Sequence, residues 1–316
     1  MDGETTLVGV MGWPIAHSLS PAMHNAAFEA LEMNWAYVPV PVRPGEVRAA
    51  VAGLRALGFR GCNVTVPHKE AVIPHLDCLP PRVARFGAVN TLIFDRGAPG
   101  GETEGTCTLT GENTDVQGFV RALREEGYDP AGRRVVIVGA GGAARGVIYG
   151  LCAVGAASVT VLNRTPERAQ ALVDDLAASA GETVLRAGAL TPASLQRQAG
   201  EAELLVQSTT VGMWPHVEAS IWPEGTPLPA HLAVCDLVYR PIETRLLRQA
   251  REAGAQAFDG LGMLIAQGAL SFEMWTGIWP PVDVMRAACA QAPVSYTHLR
   301  AHETNCNISY AVFCLR

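Results

Sequence analysis

One segment constrains this chain more than any other: Arg134 to Leu172, RVVIVGAGGAARGVIYGLCAVGAASVTVLNRTPERAQAL. A short apolar run ends in a glycine turn, a helix of small residues follows, and a second apolar run leads into another helix. That is strand, turn, helix, strand and helix within the length of one βαβ unit, so it predicts a parallel sheet and a dinucleotide-binding half. Arg145 and the glycines interrupt the apolar stretch too often for a membrane span. Within GAGGAA, Gly139 permits the tight turn, Gly141 lets backbone approach a pyrophosphate, and Ala144 packs helix against strand. The loop residues Gly139, Ala140, Gly141, Gly142 and Ala143 are therefore candidate phosphate contacts, at a helix N-terminus whose free N–H groups and dipole favour an anion. Where an NAD enzyme places Asp or Glu at the end of the second strand, this chain has Asn163, Arg164, Thr165 and then Arg168. A carboxylate repels a 2′-phosphate and a guanidinium binds it, which argues for NADP over NAD. The alternative for Arg164 is a surface cap or ion pair.

The rest of the chain is consistent with that start. With 316 residues, 49% hydrophobic and 17% charged, it has the composition of a globular protein of two domains. Residues 6–11 read as a strand, Pro21 to Leu31 as a helix with Ser20 at the N-cap, Trp35 to Val42 as extended, Glu46 to Leu57 as helical and Gly61 to Val66 as extended again. The stretch Gly97 to Gly111 reads as a loop or hairpin, and a domain boundary falls near Asp115. Strands at Glu203 to Gln207 and Leu232 to Val238 extend the second sheet, and helices follow at Leu261 to Trp275 and Val282 to Gln291. The fold class is α/β, in two domains.

A net charge of −6 without a basic run gives no reason to expect nucleic acid or an anionic membrane as partner, so a small molecule is the default. The N-terminus lacks a basic region before its first apolar run, which predicts a cytoplasmic protein. Eight cysteines without a CxxC pair imply reduced thiols. Histidines 17, 24, 68 and 75 lack zinc-site spacing, and no metal is expected. The segment Val294 to Thr304, VSYTHLRAHET, resembles a translated transposase sequencing adapter, so residues 294–316 are expected to be a non-native tail.

Of the 24 basic residues, only Lys69 is lysine. Guanidinium stays charged, whereas an ammonium can give up its proton, so a chain that otherwise uses arginine marks its one lysine as a candidate for proton chemistry. That lysine falls in GCNVTVPHKEAV. Further motifs are PIAHSLSPAMHN from Pro14, GAVNTL from Gly87, GENTDVQGF from Gly111, VQSTTVGM at residues 206–213, DLVYRPIETRLL at 236–247 and DGLGMLIAQGALSFEMW at 259–275.

Taken together and in this order, these motifs resemble the shikimate dehydrogenase family over essentially all of residues 6–290. The resemblance implies an N-terminal substrate-binding domain (1–114, completed by 260–293) and a Rossmann-type NADP-binding domain (115–259), with the active site in the cleft between them. It implies Lys69 and Asp115 as catalytic residues. Ser18, Ser20, Asn63, Thr65, Asn90, Tyr239 and Gln267 fall on its substrate-binding positions, and Thr209, Gly212, Met213 and Gly260 on its cofactor side. Hinges for closure are expected near Gly111 and Gly260. The chain departs from the family pattern at Gln207, where asparagine is usual, and at Val116, where glycine or an aromatic is common. The implied activity is NADPH-dependent reduction of 3-dehydroshikimate to shikimate by a cytoplasmic monomer or homodimer. Two alternatives stay open: a quinate/shikimate dehydrogenase using NAD or NADP, and a non-catalytic regulator that binds NADP or shikimate.

Overall fold

Strand β1 (Thr6–Gly12) is buried over its last five residues, as a strand with neighbours on both edges must be. In the computed structural model, which describes residues 1–16, 18–95 and 108–292, those neighbours are β2 (Trp35–Pro41) and β3 (Gly61–Val64), both parallel to β1. The crossovers are helices α1 (Ser20–Ala30) and α2 (Val47–Ala56). Helix α1 begins one residue earlier than expected, because Leu19 rather than Ser20 occupies the N-cap. The Ser18 hydroxyl wins the local competition: it folds over the turn and accepts from the Ser20 N–H at 3.2 Å.

After the short helix α3 (Pro81–Phe86), β4 (Thr91–Asp95) adds antiparallel to β3 and β5 (Thr108–Glu112) antiparallel to β4, giving the order β2-β1-β3-β4-β5. Of the loop or hairpin expected there, the end is an arm of strand paired antiparallel with β4. Gly111 pairs with Leu92, and a Cβ on it would come within 2.4 Å of the Leu76 side chain. It is a packing glycine inside a sheet rather than a hinge. The rest of Gly97 to Gly111, up to residue 107, lies outside the described residues, as do His17 and the tail 294–316.

Helix α4 (Asp115–Glu125) leads to the second sheet. Its strands are β6 (Arg134–Val138), β7 (Ser158–Asn163), β8 (Val184–Ala189), β9 (Leu204–Gln207), β10 (Ala233–Asp236) and β11 (Ala257–Phe258). Helices α5 (Gly142–Ala153), α6 (Pro166–Leu176), α7 (Pro192–Glu201) and α8 (Arg245–Glu252) connect and cover them. The order β11-β10-β9-β6-β7-β8 is all parallel and reverses direction between β6 and β9, the topological switch point where doubly wound sheets bind ligands.

The last helices, α9 (Gly260–Thr276) and α10 (Val282–Gln291), return to the first sheet. Leu261, Ile265, Ala269, Phe272 and Trp275 join Met23, Phe28 and Tyr37 in its core. The fit is close: a Cβ on Gly61 would lie 2.0 Å from the Trp275 indole, whose Nε1 donates to the Leu92 carbonyl at 2.9 Å. Gly260, the other expected hinge, is held in the first turn of α9, where a Cβ would meet the Leu237 carbonyl oxygen at 2.5 Å. Helix α4 packs along both α9 and α5 and so belongs to the seam between the sheets.

His24 lies in the α1–α9 layer, fully buried, stacked on Tyr37 at 4.3 Å between ring centroids, with neither ring nitrogen hydrogen-bonded. Burial lowers its pKa to about 3. Its folded-state pKa is depressed, so below the unfolded value near 6.5 the unfolded chain takes up a proton that the folded one refuses. Stability therefore falls from about pH 6.5 towards 3, by up to ~1.4 kcal/mol per pH unit from this residue. Urea unfolding at several pH values checks this. His24→Phe is expected to flatten the acid limb whatever it does to absolute stability, and parallel curves contradict the assignment.

Candidate active site

Lys69 lies just beyond the end of β3, where the chain turns after Thr65. Its carbonyl accepts from the Val89 N–H at 2.8 Å, the His68 N–H donates to the Thr65 carbonyl at 3.0 Å, and the His68 ring Nε2 lies 2.7 Å from the Val42 carbonyl. These contacts leave the backbone little freedom. Asp115 opens α4, where a carboxylate is favoured by the unpaired N–H groups of the first turn. Asn113 caps that turn, its Oδ1 accepting from the N–H groups of Asp115 (3.0 Å) and Val116 (3.4 Å). Across the seam the Lys69 ammonium donates to Asp115 Oδ2 at 2.6 Å. The side chains are 28% and 18% exposed, so the pair is largely desolvated yet open on one side.

Beneath the pair lies a buried polar cluster that draws on five parts of the chain. The Tyr37 hydroxyl donates to Asn63 Oδ1 at 2.8 Å, and Asn63 Nδ2 donates to Ser271 Oγ at 2.9 Å. Asn90 Nδ2 donates to Thr114 Oγ1 at 2.9 Å and faces Gln267 Oε1 at 3.5 Å. Of the residues expected at the substrate site, Asn63, Asn90 and Gln267 therefore meet directly. Ser20 is buried with its hydroxyl against the Tyr37 phenol, whose pKa burial raises. Thr65 is half-buried over β1, close enough that a Cβ on Gly12 would strike its methyl at 2.4 Å. Tyr239 follows β10 and packs against the core of the first sheet. Asp236 holds that loop through the Thr244 hydroxyl (2.7 Å) and the Val238 N–H (3.0 Å), while burial pushes its carboxyl up to about 6.

Tyr37, Thr91, Asn113, Thr114 and Ser271 carried no chemistry of their own in the sequence. Thr91, Asn113 and Thr114 do adjoin Asn90 and Asp115 in the NTL and ENTD motifs, and Ser271 follows Gln267 by one helical turn, so adjacency was the available signal.

On the other side of the seam, Gly139 has φ +115° and a Cβ there would lie 2.6 Å from Ser208 Oγ, so only glycine makes this turn from β6. Ser208 in turn donates to the Val138 carbonyl at 2.8 Å, joining the ends of β6 and β9. At Gly141 and Gly142 a Cβ would meet nothing within 4 Å, which leaves open space at the head of α5, beside exposed Ala143. Ala144 is fully buried, and a Cβ on Gly146 would lie 3.8 Å from that of Asp115, bringing the glycine helix to the acid–base pair. Arg164, Thr165 and Arg168 are exposed at the end of β7, and the two arginines form no ion pair among the described residues; Arg145 is committed to Asp175 at 2.7 Å. Asn163 donates to the Thr165 carbonyl at 2.9 Å and shapes that turn. A dinucleotide fits these residues: a cradle that side chains would fill, a helix N-terminus for phosphates, and two available guanidiniums for a further phosphate.

The loop after β9 is braced by Gln207. Its amide accepts from the Thr209 N–H at 2.8 Å and donates to the Val211 carbonyl at 2.9 Å, which employs the reach that distinguishes it from asparagine. Gly212 has φ +84°, and Met213 beside it is exposed. Val116 rests on Gly150 of α5, where a Cβ would meet its carbonyl at 2.9 Å. Among the described residues no three His, Cys, Asp or Glu side chains are grouped to hold a metal.

Comparison with known proteins assigns the chain in three consecutive pieces. Residues 10–92 match the shikimate dehydrogenase substrate binding domain, 122–211 match shikimate / quinate 5-dehydrogenase, and 260–289 match the shikimate 5'-dehydrogenase C-terminal domain. The shikimate dehydrogenase (NADP(+)) of Moorella thermoacetica is 48% identical over 291 residues, covering 92% of this chain and 94% of that protein. That of Methanopyrus kandleri is 46% identical, covering 91% and 96%. The crystal structure of the Thermus thermophilus enzyme in complex with NADP(H) and shikimate superposes with a TM-score of 0.78 at 39% identity, covering 92% of this chain and all of that one (100%). With identity of this level along nearly its whole length, the chain belongs to the shikimate/quinate dehydrogenase family.

Proposed function

We propose that this protein is an NADP-dependent oxidoreductase that reversibly reduces 3-dehydroshikimate to shikimate, the shikimate-pathway step towards the aromatic amino acids. The observation that carries the reading is the Lys69–Asp115 contact at 2.6 Å, made where the polar cluster and the glycine-loop helix meet. The relatives named above act on the same substrate with the same cofactor. Residues 1–114 and 260–293 form the substrate-binding domain and 115–259 the cofactor domain, a division supported by the return of α9 and α10 to the first sheet. Among the described residues no helix is long and apolar enough to cross a membrane.

Bound NADPH supplies the hydride, and the phosphates would be held by the Gly139–Ala143 loop, Asn163, Arg164, Thr165 and Arg168, with Thr209, Gly212, Met213 and Gly260 flanking the rest. Lys69 Nζ hydrogen-bonds the substrate's 3-keto oxygen and delivers its proton as negative charge builds there; in the oxidative direction the neutral amine receives the hydroxyl proton. Asp115 Oδ2 holds that nitrogen in place and stabilises its charged form. Ser18 and Ser20 bind the substrate carboxylate: the Ser18 oxygen already accepts from Ser20 N–H, leaving its own O–H to donate. Asn63, Thr65, Asn90, Gln267 and Tyr239 surround the ring hydroxyls. A ketone closed between two sheets loses bulk water, which strengthens each of these contacts.

Three outcomes follow in a single assay of absorbance at 340 nm. The wild type reduces NADP with shikimate faster than with quinate, and faster than NAD with either; equal or better activity with NAD and quinate points instead to a quinate dehydrogenase, and silence with all four pairs to a non-catalytic binder. Lys69→Ala lowers kcat by about a hundredfold to ten-thousandfold, and near-normal turnover removes Lys69 from the chemistry. Arg164→Ala raises the KM for NADP by about tenfold and leaves that for NAD unchanged, whereas an equal rise for both cofactors rules out a 2′-phosphate contact.

A further inference from the structure

Building on that reading of the site, we infer that Ser271 is a positioning residue that steadies the Asn90 amide in the orientation in which it meets the substrate. The warrant is the donor and acceptor inventory of the buried cluster. Asn90 Oδ1 accepts from the backbone N–H of Thr114 at 2.8 Å. A backbone N–H can only donate, so the atom facing it must be the amide oxygen. The Asn90 NH₂ group is thereby turned towards Thr114 Oγ1 at 2.9 Å and Gln267 Oε1 at 3.5 Å.

Ser271 closes the circuit that keeps this arrangement. Its hydroxyl lies 2.9 Å from Thr91 Oγ1 and 3.2 Å from Thr114 Oγ1. Thr91 Oγ1 donates to Asn90 Oδ1 at 3.0 Å. One proton assignment closes a ring through these contacts: Ser271 donates to Thr91, Thr91 to Asn90, Asn90 to Thr114, and Thr114 back to Ser271, with the Gln267 carbonyl 3.1 Å from Ser271 Oγ and Asn90 Oδ1 3.2 Å from Thr114 Oγ1 as the competing acceptors. Each hydroxyl then gives once and accepts once around a ring of four residues. Asn63 locks the ring from outside. Its Nδ2 faces the Asn90 carbonyl at 3.1 Å, an acceptor only, which fixes that atom as nitrogen, and it donates into Ser271 Oγ at 2.9 Å. Ser271, Thr91 and Thr114 are fully buried, so no bulk water can replace a missing partner.

One N–H of Asn90 remains, held loosely towards Gln267 Oε1 across a gap too long for a strong bond. A ring hydroxyl of the substrate lying to one side of both atoms would accept from Asn90 and donate to Gln267. Without Ser271, the Thr114 hydroxyl falls back on Asn90 Oδ1 at 3.2 Å and an Asn63 N–H on Thr91 Oγ1 at 3.2 Å, so the circuit that steadies the Asn90 amide is open. Binding of the substrate weakens while the Lys69–Asp115 pair and the cofactor loop are untouched.

The test is steady-state kinetics of the full chain, wild type beside Ser271→Ala, Asn90→Ala and the double variant. Ser271→Ala is expected to raise the KM for shikimate about tenfold, with kcat within about threefold and the KM for NADP unchanged. In the Asn90→Ala background the same change is expected to add less than about twofold, because its effect runs through Asn90. Thr91→Val, nearly isosteric, breaks the ring elsewhere and should reproduce the split, so the inference does not rest on one variant folding well. An unchanged shikimate KM in Ser271→Ala, a full rise in both backgrounds, or KM values for shikimate and NADP that climb together each overturns it. A wild type that leaves shikimate unoxidised overturns the functional reading and this inference with it, whereas an active wild type with an indifferent Ser271→Ala overturns the inference alone.

Discussion

The contact between Lys69 and Asp115 is the constraint around which the molecule is arranged. The two residues are 46 positions apart and belong to different elements, one in a turn after β3 and the other at the head of α4. A long lysine side chain and a short aspartate meet at 2.6 Å in a half-desolvated seam only if both backbones are held. The fold holds each from more than one direction. Val89 and the His68 ring brace the lysine turn, while Asn113 caps α4 and Asn90 grips Thr114 just before it.

That requirement explains the unusual path of the chain. Helix α4 packs along α9 on one side and α5 on the other, so the residue that opens it is set by both sheets at once. Gly118 and Gly150 make this approach possible: a Cβ on Gly118 would meet the Gln267 backbone nitrogen at 2.8 Å, and one on Gly150 the Val116 carbonyl at 2.9 Å. The return of α9 to the first sheet brings Gln267 and Ser271 under the pair as part of the same packing. Catalytic geometry and core packing are thus one problem here, solved by glycines at helix crossings and by buried amides tied into a shared hydrogen-bond network.

Much of this was legible in the chain itself, and the parts that were not share a cause. The glycine turn at Gly139 and the βαβ unit after it are local patterns, readable because each residue's role depends on near neighbours. Lys69 stood out because the rest of the chain uses arginine. That Ser20 would not cap α1 was not decidable, since it depends on Tyr37 lying over its hydroxyl. Strand β5 was left open between loop and hairpin by its glycine and threonines, and the choice is made only when β4 is placed beside them. Ser271 lies 208 positions from Asn63, and nothing in a helix that is apolar on most sides singles out one serine until the strands arrive against it.

The central claim is that Lys69 moves a proton, beyond supplying a positive charge. Arginine in its place keeps the charge and the hydrogen-bond donors but holds on to its proton. The kcat of Lys69→Arg with shikimate and NADP separates the two roles most directly. The account predicts turnover as low as with no cationic side chain at this position, alongside a shikimate KM close to that of the wild type; turnover within a few-fold of the wild type would contradict it.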